Sequence, residues 1–147
     1  MRKGLERQLL DVVSPFLQAG EQPAMSTLAT LGENVHSIRE ITRGAVRESI
    51  SSMGTFTLRM PRRFFLLLTD RRLLFVASSD TMGKPLPDVV GELPREGLRF
   101  VPVPGGIMKS FDVTGPDGVA VIRVNFALPQ RGDSTRLAEM VNGVTTS

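Results

Sequence analysis

Residues 64–77 read Phe-Phe-Leu-Leu-Leu-Thr-Asp-Arg-Arg-Leu-Leu-Phe-Val-Ala, two apolar runs separated by Thr69, Asp70, Arg71 and Arg72. Each run is too short for a helix, and an aspartate in the interruption can hydrogen-bond nearby backbone amides, so the pattern predicts a tight antiparallel hairpin. Its strands are apolar at adjacent positions rather than alternate ones. Protein should therefore cover both faces of this hairpin, and the rest of the chain should pack around it.

Working outward toward the N-terminus, Leu5, Leu9, Val12, Val13 and Phe16 recur at helical spacing and predict an amphipathic helix over residues 3–13. Ser14-Pro15 restarts a short turn, because proline is tolerated at a first helical position. A strand is expected over 24–31 and a turn at Gly32-Glu33-Asn34. Residues 35–53 read as a helical insert with Ile38, Ile41, Ala45, Ile50 and Met53 on one side and Arg39, Arg43 and Arg47 in an i, i+4, i+8 row.

Residues 55–60 alternate and could extend the sheet or simply lead into Pro61-Arg62-Arg63. Beyond the hairpin, residues 78–87 read as a loop, with short strands over 89–93 and 98–103. Pro102 and Pro104 push the second of these to an edge or a bulge, since proline cannot donate to a ladder. Strands over 107–113 and 119–126 flank a Gly-Pro-Asp-Gly turn at 115–118. A last helix, capped by Asp133 or Ser134 and ended by Gly143, carries Leu137, Met140, Val141 and Val144 on one stripe. Strands with helices at the ends make an α+β chain. The expected division is an N-terminal helical extension over 1–23 and one domain over 24–147.

The 147 residues contain no cysteine, tryptophan or tyrosine. Disulfides, zinc-thiolate sites and thiol catalysis are excluded, and a reducing compartment is the natural setting. The longest uninterrupted apolar run, Phe64 to Leu68, is far below the roughly 20 residues of a spanning helix, so a cytoplasmic protein is expected. The net charge of +3 is unevenly placed. Residues 1–32, 64–100 and 101–147 are each balanced, whereas 33–63 set Arg39, Arg43, Arg47, Arg59, Arg62 and Arg63 against Glu33, Glu40 and Glu48. Such an excess is a signal for an acidic surface or partner. Most surface charge, however, only solvates a helix face.

Catalytic inventories fail. The single histidine, His36, has no sequence-evident partner, and triads and His-metal sites need further groups. Gly105-Gly106 lies between strands rather than at a helix start, so it is no phosphate loop. Acidic residues occur singly, without calcium-loop spacing. No metal, cofactor or small-molecule substrate is therefore expected. The Arg131-Gly132-Asp133 tripeptide is explained by entry into the last helix. Arginine outnumbers lysine fifteen to three, which suits bidentate phosphate contacts, yet no aromatic ladder or nucleic-acid motif accompanies it. Arg62-Arg63 and Arg71-Arg72 flank one strand and fall roughly 17 to 20 Å apart at about 3.3 Å per residue, so one headgroup cannot touch both. The second pair reads as structural, at the turn or in a salt bridge.

Several stretches, taken in order, carry a resemblance. They are residues 15–22 (PFLQAGEQ), residues 65–75 (FLLLTDRRLLF), Gly83-Lys84-Pro85, Glu92-Leu93-Pro94-Arg95 and the Pro-Asp-Gly turn before the last strand. The chain resembles bacterial pleckstrin-homology-like (PH-like) domains of actinobacterial type over most of residues 15–142. The resemblance implies a seven-stranded, two-sheet barrel capped by the C-terminal helix, and no enzymatic activity. The insert at 34–58 stands where a eukaryotic lipid-binding relative carries its basic motif, but it lacks the Lys-x-Lys/Arg-x-Arg pattern. The expected function is a non-enzymatic binding or scaffolding module acting through protein contacts and self-associating. The alternative is a membrane-peripheral module drawn to anionic lipid through Arg39, Arg43, Arg47, Arg59, Arg62 and Arg63.

Overall fold

A computed structural model describes residues 1–32, 55–56, 62–79 and 83–143. The expected helical insert over 35–53, with His36, Arg39, Arg43 and Arg47, lies outside the described residues, and so does Arg59.

The elements in chain order are α1 (Lys3–Val13), β1 (Pro23–Leu31), β2 (Thr55–Phe56), β3 (Arg63–Thr69), β4 (Arg72–Ser78), β5 (Pro85–Pro94), β6 (Arg99–Val103), β7 (Lys109–Thr114), β8 (Ala120–Phe126) and α2 (Arg131–Asn142). Single 3-10 turns at Ser14–Phe16 and Leu128–Gln130 precede β1 and α2. The strands form one antiparallel sheet in the order β2-β5-β4-β3-β1-β8-β7-β6. The fold is α+β, as expected.

The hairpin β3–β4 sits at the centre, and the period of two along its strands explains its unbroken apolar sequence. Phe64, Leu66, Leu68, Leu73, Phe75 and Ala77 point into one apolar cluster, while Phe65, Leu67, Leu74 and Val76 point into another. The second cluster lies under α1, whose Leu9 and Val13 are fully buried in it. The first is closed by Leu137, Ala138 and Val141 of α2. It also holds Leu93 of β5 and Phe100 of β6, near opposite ends of the strand order, so the sheet must curl to bring them together. Three edge-on or tilted ring pairs line it: Phe64–Phe75 at 5.3 Å, Phe100–Phe111 at 5.7 Å and Phe111–Phe126 at 5.9 Å between centroids. Fully burying one such side chain contributes about 1.5 to 3 kcal/mol.

Three boundaries differ from expectation. β5 begins at Pro85, inside the expected loop. Prolines are tolerated there because β2 pairs only with Gly91 and Glu92 among the described residues, leaving the first half of β5 at an edge. β7 begins at Lys109, so Ile107 and Met108 lie in the preceding bend, with Ile107 82% exposed. α2 begins at Arg131 rather than after a side-chain cap at Asp133 or Ser134. The turn through Leu128, Pro129 and Gln130 leads directly into it, and Gln130 at the N-cap makes no side-chain cap bond. Asp133 instead meets the amino group of Met1 at 2.7 Å, and Ser134 donates to the Arg131 carbonyl at 2.7 Å. Gly143 ends the helix in the left-handed region at φ 68°, where glycine carries no Cβ penalty.

β6 is an edge strand, one of the two placements its prolines allowed. Its exposed backbone is closed by α2: the Phe100 N–H donates to Asn142 Oδ1 at 2.9 Å and Asn142 Nδ2 donates to the Phe100 carbonyl at 3.0 Å.

Candidate functional site

Two polar constellations stand out, and they do different work. The first joins the stretch between α1 and β1 to the central hairpin. Glu21, whose side chain is wholly buried, accepts from Arg72 Nε at 2.9 Å, from Arg72 Nη2 at 2.9 Å and from Thr69 Oγ1 at 2.6 Å. The Gln18 amide donates to it at 2.9 Å. Arg72 also reaches Glu92 at 2.6 Å and the Phe16 carbonyl at 2.7 Å. Arg71 donates to Gln18 Oε1 at 3.1 Å. Hydrogen bonds from Arg72 hold the Glu21 carboxyl down at about 2 from an ordinary 4.5, outweighing burial, which acts the other way; Thr69 and the Gln18 amide assist. The same pairing with Glu21 raises the pKa of Arg72. With the Glu21 carboxylate accepting four hydrogen bonds and the Arg72 guanidinium donating four, all within the protein, this is a structural staple rather than a reactive site. Arg71-Arg72 therefore has the structural role that the sequence indicated.

The second constellation is open to solvent. Antiparallel register places Arg63 opposite Thr30, Thr30 opposite Asn125, Asn125 opposite Ser110, and Ser110 opposite Val103. Residues directly opposite share a face. These five residues thus form a row across β3, β1, β8, β7 and β6 on the face turned away from the inner cluster. Arg63 is exposed and the other four are half-buried.

The row runs through two adjoining clefts. One, of about 500 Å³, is lined by Val103, Gly105, Gly106, Ile107, Met108, Ser110, Arg123 and Asn125. The other, of about 370 Å³, is lined by Thr30, Leu31, Arg62, Arg63, Met108 and Asn125. Met108 and Asn125 belong to both. The overhanging bend depends on Gly105 and Gly106, with φ of 94° and 79°, a region that side-chain-bearing residues rarely adopt.

The floor is fixed by short-range chemistry. Ser110 Oγ donates to Asn125 Oδ1 at 2.6 Å, and Thr30 Oγ1 lies 3.4 Å from the Asn125 carbonyl. Arg123 is held by Asp112 through two bonds of 2.7 and 3.1 Å, which raise its pKa and occupy its charge. Gly32 donates to the Arg123 carbonyl at 2.8 Å, and a Cβ on Gly32 would lie 2.6 Å from Arg123 Cγ. Glycine is what lets β1 come this close to β8.

Of the six arginines singled out in the sequence, Arg62 and Arg63 are described. Both are exposed, both line the smaller cleft, and neither is in an ion pair with another described residue. The sequence did not reveal Thr30, Ser110, Val103 or Asn125 as members of one row, because the row depends on β1 pairing with β8 across 95 residues. The available signal was weaker: Ser110 and Asn125 fall at the polar positions of two alternating strands.

Among the described residues no group of three or more His, Cys, Asp or Glu could hold a metal, and no helix is long and apolar enough to cross a membrane. The sequence matches no family model and no curated protein.

Proposed function

We propose that this chain is a non-enzymatic PH-like binding module, a two-sheet barrel capped by α2, that acts through protein contacts and associates with its own copies. The barrel reading draws support from the curl of the sheet and from α2 against its inner cluster. One observation carries the contact surface. The outer face of β3 and β4 is covered by α1, whereas the outer face of β6, β7 and β8 has no helix over it among the described residues. That uncovered face presents Val101, 45% exposed, and the bend that carries Ile107. Exposed apolar side chains gathered on one uncovered face offer a surface that a partner copy can bury. Size exclusion with light scattering, run over a hundredfold concentration range, tests the reading. Mass should rise with concentration, and Ile107→Ser should oppose the rise. A monomer at every concentration would remove self-association from the proposal.

A second reading is favoured by the solvent exposure of Arg62 and Arg63 and by the lack of an acidic partner for either among the described residues. With Arg39, Arg43, Arg47 and Arg59 they would hold the module on an anionic lipid surface, each contributing about 1 kcal/mol near the surface. Sedimentation with anionic vesicles at low and high salt separates the two readings, since only the lipid reading requires salt-sensitive co-sedimentation of the monomer.

A further inference from the structure

The row across five strands joins two kinds of chemistry. At one end stand Arg62 and Arg63, exposed and without an ion-pair partner among the described residues. At the other, Val103 and Ile107 line the larger cleft, and Met108 lies where the two clefts adjoin. Between them lie neutral hydrogen-bonding groups. Asn125 uses its side-chain oxygen to accept from Ser110, while its amide N–H donors meet no described acceptor.

We infer that this row is a docking track for a short extended segment of a protein partner, acidic at one end and apolar at the other. The inference rests on the binding-module reading and specifies the partner's chemistry. Three observations select this occupant. Exposed arginines complement carboxylates, and their planar, fork-like donors suit that geometry. Five adjacent strands span four interstrand steps, roughly 19 Å at about 4.8 Å each, which an extended chain covers in about six residues. The Asn125 donors, halfway along, suit a peptide carbonyl.

The geometry also selects the direction of approach. A partner strand cannot extend the sheet at β6, because Asn142 occupies the Phe100 N–H and carbonyl, and Pro102, whose backbone faces the same way, has no N–H to offer. The segment lies across the strands instead of alongside them.

The test uses the full chain and labelled hexapeptides with two acidic residues at one end and two leucines at the other, in both chain directions. Neutral and charge-inverted hexapeptides serve as controls. Fluorescence polarisation should show binding of the acidic–apolar peptides alone, weakened at least tenfold by Arg63→Glu and, separately, by Ile107→Ser. Both substitutions are at exposed positions, and unchanged melting of each variant confirms the fold. Amide NMR shifts on titration should cluster at Thr30, Ser110 and Asn125.

Equal binding of neutral peptides, or shifts confined to other surfaces, would overturn the proposal. So would Arg62- and Arg63-dependent sedimentation with phosphatidylglycerol-containing vesicles in the absence of any peptide binding, which assigns the arginines to lipid. Light scattering on the same samples separates this failure from that of the module reading. Self-association without peptide binding rejects the track alone, whereas a monomer that binds neither peptide nor vesicle rejects both.

Discussion

Glu21 is a buried carboxylate whose charge the fold requires. Its pKa is held at about 2 against an ordinary 4.5, chiefly by hydrogen bonds from Arg72. A folded-state value below the unfolded one means the contribution to stability is fully present above about pH 4.5 and is lost as pH falls toward 2. The depression corresponds to about 3 kcal/mol. Glu21→Gln keeps the shape and leaves Arg72 with only Glu92 as an ionic partner, so at pH 7 it should cost on the order of 3 kcal/mol. Urea midpoints of the two proteins should converge as the pH approaches 2.5; a gap that stays constant with pH would refute a charge-based role. Thr27 presents the opposite case. Its hydroxyl is fully buried on the inner face and has no hydrogen-bond partner. A valine has nearly the same shape without the unsatisfied oxygen, so Thr27→Val should stabilise by about 1 kcal/mol. A lowered melting temperature would show that the hydroxyl is satisfied in solution.

At the scale of elements, the central hairpin was legible and its surroundings were only partly so. The paired apolar runs announced β3 and β4 because a strand buried on both faces has no polar alternative. Helical spacing gave α1 to the residue, and the Pro-rich segment gave an edge strand or a bulge. What covers each face was not legible, because the partners of Leu67 and Leu66 belong to α1 and α2, far away in sequence. The same holds for Glu21, which finds Arg72 across 51 residues, and for the row that runs through Thr30 and Asn125. Sequence periodicity reports which face of an element is apolar, but not which distant element meets it. The two-faced hairpin makes a sharp prediction. Leu67 is 1% exposed and lies in the cluster beneath α1, so Leu67→Ala should cost about 2 to 5 kcal/mol. An unmoved urea midpoint would mean that α1 does not seal that face.

For the whole molecule, the two helices cover different faces of one curled sheet, and their removal should differ in kind. α1 covers an outer face that β3 and β4 would still support through their inner packing. α2 packs against β6 and β1 and closes the inner cluster, which Leu137 and Val141 share with side chains of β1 and of β3 to β8, and its Asn142 seals the β6 edge. Ending the chain at Gln130 should therefore expose the core along with an unpaired edge, leaving secondary structure without fixed packing. The chain has neither tryptophan nor tyrosine, so loss of packing must be read from added 1-anilinonaphthalene-8-sulfonate fluorescence and from collapse of methyl dispersion in NMR spectra. Both changes are expected, together with loss of cooperative thermal unfolding and concentration-dependent aggregation through β6. Should the shortened chain melt as sharply as the full one and bind no dye, the inner cluster must be closed by strands alone, and the role assigned to α2 would be wrong.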